Sequence, residues 1–121
     1  MQTTTKPQEL VQKTVFSILF SISFAHLIND LIQSIIPSLY PLLKQNYNLT
    51  FTEIGIITFA FQLTASILQP FVGYYTDKHP KPFSQVYGMV FSALGIISIS
   101  YASNLPWIII SVMLIGTGSA I

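Results

Sequence analysis

Asp30 has the clearest chemical case in this sequence. It is the only formal charge in a largely apolar run from Val15 to Ile36. His26 stands one helical turn before it, Asn29 beside it, and Gln33 follows. On a helix, with about 100° per residue, these four side chains share an arc of about 100°. If the run crosses a bilayer, a mid-membrane acid costs about 3 kcal/mol even on lenient insertion scales, and its default reading is functional. Asp30 is then the candidate for loading and releasing a proton or sensing a substrate. His26, Asn29 and Gln33 are its candidate partners in transport and proton coupling. The competing reading is a static His26–Asp30 pair that fixes helix packing. A metal site started by His26 and Asp30 has no third ligand of matching geometry, so no metal is expected.

A second polar stripe follows. Gly55, Thr58, Gln62, Ser66, Gln69 and Gly73 share an arc of about 80° at helical spacing. Two such stripes on neighbouring helices point to one polar cavity, with Gln62, Ser66 and Gln69 as candidate lining residues. Hydrogen bonding across a packed interface is the alternative, and it is the preferred reading for Thr58 and Ser66. Ser84, Gly88, Ser92, Gly95 and Ala102 place only small residues on one face of a later run, which lets helix backbones approach closely. Gly116-Thr-Gly118-Ser119-Ala120 follows no strand and lies in apolar sequence, so it is no nucleotide loop. With no cysteine, disulfides, thiolate metal sites and a cysteine nucleophile are excluded. No cofactor and no enzyme activity are expected.

The elements that position these residues follow from composition. Of 121 residues, 51% are hydrophobic and 7% charged, against roughly 25% charged in a soluble domain. The mean hydropathy is +0.63. Five basic residues, all lysine, and four acids give a net charge of +1, which is no footprint for nucleic acid. The class that remains is an all-α integral membrane protein whose partner is the lipid bilayer. After a tail over residues 1–14, the membrane domain covers 15–121, with helices at about 15–37, 53–75, 83–101 and 105–121. The first three reach the roughly 20 residues that a span requires; the fourth reads as truncated, or else as a short tilted helix. Thr50-Phe-Thr-Glu53 forms a capping box that opens the second helix. Pro37 and Pro41 are expected to end the first, and Pro82 and Pro106 fit the opening turns of the third and fourth.

Orientation follows from the lysines of the short loops. Lys6 and Lys13 precede the first run, Lys78 and Lys81 lie between the second and third, and only Lys44 lies between the first and second. This bias puts the N-terminus and the 77–82 loop in the cytoplasm of a multi-pass protein of the cell (plasma or inner) membrane. Lys13, the run to Ile22 and the small residues Ser23 and Ala25 mimic a signal peptide, but apolar sequence continues well past them.

The segment Gly73-Tyr-Tyr-Thr-Asp77-Lys78-His-Pro80-Lys81-Pro82 resembles the loop signature G-x-x-x-D-[RK]-x-G-[RK]-[RK] of the major facilitator superfamily. Gly73, Asp77, Lys78 and Lys81 match it, while Pro80 and Pro82 depart. Ala25-His26-Leu-Ile-Asn29-Asp30-Leu-Ile-Gln33-Ser34, Thr58-Phe-Ala-Phe-Gln62-Leu and Leu68-Gln69-Pro70-Phe-Val-Gly73 resemble the fosmidomycin resistance transporters. This resemblance implies a twelve-helix fold in two six-helix bundles with the substrate path between them. The present residues would be part of the N-terminal bundle, with about four transmembrane helices, and the C-terminal half would be missing. It also implies export of a small drug-like molecule in exchange for protons, and a cytoplasmic gating role for Gly73, Asp77, Lys78 and Lys81. Drug–proton antiporters of the superfamily often carry an arginine before a G-x-G-x-A run in helix four. Gly116, Gly118 and Ala120 fit that run, but Val112 stands where the arginine would be.

Two rival readings remain. A four-helix small multidrug transporter acting as a dimer also carries one membrane carboxylate in its first span. A non-transporting structural or regulatory membrane subunit would scatter its polar groups instead of aligning them in stripes.

Overall fold

The computed structural model describes the backbone from residue 7 and the side chains from residue 15 to the last residue, Ile121. The tail expected over 1–14 therefore lies outside the described residues, apart from the helical backbone of 7–14. The described chain is helical throughout, with four helices: α1 (Pro7–Tyr47), α2 (Phe51–Lys78), α3 (Ser84–Ser100) and α4 (Leu105–Ala120).

The first correction concerns α1. Pro37 and Pro41 do not end it; the helix runs through both to Tyr47. A proline removes one backbone donor, and neighbouring Ser or Thr side chains are among the groups that accommodate the loss inside apolar helices. The carbonyls left without a helical donor are those of Gln33 and Pro37. The nearby Ser34 and Ser38 hydroxyls donate to other carbonyls, those of Leu31 and Ser34, at 2.7 and 2.9 Å. The stop comes instead from Asn48, with φ of 49°. Leu49 N–H donates back to the Lys44 carbonyl at 3.1 Å, the six-to-one bond of a Schellman ending.

The capping box is present at α2. Glu53 N–H donates to Thr50 Oγ1 at 3.2 Å, and Thr50 N–H donates to Glu53 Oε2 at 2.7 Å. Like α1, α2 runs on past its expected end, to Lys78, with Pro70 inside it. The Asn104 side chain caps α4, its Oδ1 accepting from Trp107 N–H at 3.0 Å, and Pro106 sits in the first turn.

By length and composition, α1 (from Val15) and α2 are able to cross a membrane. The third helix, α3, has 17 residues and rises about 26 Å. Tyr101 closes it, turned back onto the Ser98 and Ile99 carbonyls.

The packing is organised around α4, which lies against both α2 and α3. Ile108, Val112 and Ile115 of α4 are fully buried together with Ile57 of α2 and Ile36 of α1. Glycines set the approach on both sides. A Cβ at Gly118 would run into the Gly88 carbonyl and Ser92 of α3, and one at Gly116 into the Phe61 carbonyl and Thr64 of α2. Gly95 is closed in the same way by Ser111 and Ile115. Gly88, Ser92 and Gly95 are all buried on this seam. Ser98 and Ser111 add a hydroxyl pair across it at 2.8 Å. By contrast, α1 touches α3 and α4 only lightly. Large apolar side chains such as Phe16, Phe20, Phe59, Phe71 and Ile110 remain exposed around the bundle, as suits a surface that faces lipid.

Candidate functional site

The stripe of α1 that packs onto its neighbours contains Ala25, Ile28, Ile32, Ile36, Leu39 and Leu43, all buried or half-buried. Its centre lies about 55° from Asn29, about 95° from Gln33, about 115° from His26 and about 155° from Asp30 at helical spacing. Burial follows that order. Asn29 and Gln33 are half-buried, while His26 and Asp30 are exposed. The four polar residues share an arc as expected, but the arc straddles the edge of the packed face. Asn29 Oδ1 is enclosed without a hydrogen-bond partner among the described residues.

His26 and Asn29 open onto a polar cavity of about 360 Å³. Lys81 of the α2–α3 loop, Ser84 and Gln85 of α3, and Ser119 of α4 complete its polar lining. The structure thus brings two candidates from the first helix together with a candidate from the gating loop. Sequence reasoning had kept these apart. In the sequence Gln85 carries no signal of its own, Ser84 belongs to a small-residue packing face, and Ser119 lies in the Gly116–Ala120 run dismissed as a nucleotide loop. Neither Asp30 nor Gln33 lines this cavity.

The second stripe does not join it. Gln62, Ser66 and Gln69 are exposed, and α1 does not pack along α2. Within the described residues the two stripes do not face each other, because α4 takes up the packed face of α2. One polar link survives nearer the short loop, where Thr58 Oγ1 and the Tyr40 hydroxyl meet at 2.8 Å. Tyr47 at the end of α1 donates to the Ala102 carbonyl, which ties that end to the α3–α4 loop.

At the far end of α2, Asp77 and Lys78 are exposed and Gly73 is half-buried. Lys78 Nζ engages the Tyr74 hydroxyl and sits 4.2 Å from its ring centroid. Tyr75 and His79 stack with centroids 5.1 Å apart. A Cβ on Gly73 would meet nothing within 4 Å, so no contact inside this chain requires glycine there. Among the described residues no three acids or histidines gather at metal-binding spacing.

The family model of the Major Facilitator Superfamily matches residues 22–121. The chain belongs to the major facilitator superfamily. It is similar to the Fosmidomycin resistance protein of Escherichia coli (strain K12), with 47% identity over 80 residues. It is also similar to the Uncharacterized MFS-type transporter YfnC of Bacillus subtilis (strain 168), with 42% identity over 80 residues. Each match covers 66% of this chain and 20% of the relative. The chain therefore spans about a fifth of the length of the curated relatives it matches. No solved structure matches it significantly. The small multidrug reading falls to the superfamily match. Within the superfamily signature, Gly73, Asp77, Lys78 and Lys81 occupy the end of α2 and the loop before α3.

Proposed function

We propose that these four helices are the N-terminal part of a secondary transporter that exports small drug-like molecules of the fosmidomycin type in exchange for protons. The observation that carries this reading is the 47% identity to the Fosmidomycin resistance protein. The placement of Asp30 supports the coupling part. Its side chain is exposed, turned away from α3 and α4. In a two-bundle transporter the substrate path runs between the bundles, and a titrating group has to reach that path. His26 and Asn29, with Gln33 one turn along, would supply hydrogen bonds beside it. Gln62, Ser66 and Gln69 would line the path from α2. Asp77, with Gly73, Lys78 and Lys81, would hold the cytoplasmic side closed against the second bundle.

The test is a chimera in which residues 22–121 replace the matching segment of the Escherichia coli relative, expressed in cells lacking that protein. Restored fosmidomycin resistance is the expected result. A chimera that reaches the membrane in normal amount yet leaves cells as sensitive as the empty vector would remove the substrate assignment.

A further inference from the structure

Among the described residues, the side-chain hydrogen bonds that join α1 to other elements come from two tyrosines. The Tyr40 hydroxyl and Thr58 Oγ1 of α2 meet at 2.8 Å, and the Tyr47 hydroxyl donates to the Ala102 carbonyl between α3 and α4. Both tyrosines are half-buried. At helical spacing they stand within about 20° of each other, about 55–75° from the centre of the packed stripe. They share the edge on which Asn29 and Gln33 lie, and Asp30 follows about 80° beyond Tyr40. Ile36, Leu39 and Leu43 hold the stripe itself by apolar contact. Apolar packing is non-directional, so it defines the rotation of a helix less sharply than a hydrogen bond does. A turn of about 20° carries an atom at the rim of a helix by about 2 Å, enough to break either bond. Pro37 and Pro41 stand between Asp30 and Tyr47, and prolines are where helices bend. Tyr40 lies between them, so its bond holds the stretch that the prolines loosen.

We propose that Tyr40 is a positioning residue: its bond to Thr58, with that of Tyr47 to Ala102, fixes the rotation of α1 and so the direction in which Asp30 faces. The partners of both bonds are themselves seated. Thr58 Oγ1 also lies 3.0 Å from the Ile54 carbonyl of its own helix, and α2 is packed along α4. Ala102 belongs to the turn that closes α3, where its N–H donates to the Ile99 carbonyl at 3.0 Å. The two bonds act at different heights and on different elements, so they oppose a turn of α1 as one bond alone would not. Neither tyrosine lines the cavity onto which His26 and Asn29 open, so an effect on coupling passes through the rotation of α1. That effect rests on the reading of Asp30 as the coupling group; the fixed rotation does not.

The chain has no cysteine, so a nitroxide on single introduced cysteines reads α1 without background. It is scanned over residues 22–35 of the 121-residue chain in liposomes, with circular dichroism to confirm helix content. Its collision rate with oxygen should oscillate at the helical period, and the phase of that wave is the rotation of α1. Tyr40→Phe and Thr58→Val should each move the phase by about 20° or more, and together no further, since both remove one bond. Tyr87→Phe, on the exposed face of α3, should leave it in place. An unmoved phase in Tyr40→Phe overturns the proposal, as does an equal shift in Tyr87→Phe. In the chimera, Tyr40→Phe should move the pH midpoint of export by about half a unit, the roughly threefold worth of an average hydrogen bond between membrane helices. Lower export at every pH with the midpoint unmoved would make Tyr40 merely structural and overturn its role toward Asp30. If Asp30→Asn keeps the pH dependence, the coupling reading fails instead, and the phase alone decides the rotation.

Discussion

At the residue scale, Asp30 was legible because an acid in apolar sequence has few bland explanations. What the sequence could not show was its angle to the packed face. That angle depends on which side of α1 meets α3 and α4, a long-range fact. A static pair with His26 predicts that shape alone matters at position 30; proton coupling predicts that titration matters. Asp30→Asn keeps the shape and removes titration. In the chimera, Asp30→Asn should insert normally and lose most of the pH-dependent uphill export, read as drug accumulation in inverted vesicles across a pH series. Export of undiminished rate and unchanged pH dependence would make Asp30 structural. The meeting of His26 and Asn29 with Lys81 was invisible in the sequence, since more than fifty positions separate them and no local pattern links them.

At the element scale, local signals were read well where the chemistry was local. The Thr50–Glu53 box opens α2, and the small residues of α3 form a packed seam. The prolines of α1 misled because proline was weighed as a breaker by soluble-protein rules, whereas in apolar helices neighbouring hydroxyls and side chains accommodate it. The glycines now divide by role. Gly88, Gly95, Gly116 and Gly118 face backbone or side chains with no room for a Cβ, while Gly55 and Gly73 face open space. Gly118→Val should therefore destabilise the α3–α4 seam by about 1–3 kcal/mol, the usual range for overpacking. Its midpoint in a detergent-unfolding titration should fall accordingly. Gly73→Ala in the same assay should sit within error of the wild type, or slightly above it, because alanine favours helix. Equal losses in both variants would mean that glycine at 118 is not serving close approach. If Gly73 matters to transport, it does so through a contact that these four helices do not contain.

At the scale of the whole molecule, the order of packing gives the topology argument its weight. If the four helices cross the bilayer in turn, the 77–82 loop and the Lys44–Asn48 connection lie on opposite sides. The lysine bias assigns the first of these to the cytoplasm. A phosphatase reporter, active only outside the cytoplasm, should be silent when fused after Lys81 and active when fused near Asn46. The reverse pattern would invert the protein.

The last expectation concerns what four helices can do. Alternating access moves one bundle against another about a central site. Here α4 packs against α2 and α3 through seams with no room for a Cβ at Gly88, Gly95, Gly116 or Gly118, while α1 is only lightly held. Such a unit has one tight subassembly and no second body of comparable size to rock against it. Asp30, Gln62, Ser66 and Gln69 are all exposed, toward surroundings that this unit does not itself enclose. The 121 residues expressed alone should therefore reach the membrane and confer no fosmidomycin resistance. The chimera carrying the remaining helices of the relative should confer it under the same promoter. The comparison is read as minimum inhibitory concentration at matched membrane abundance. Resistance from the short chain alone would show that four helices suffice and that the path is enclosed by self-association.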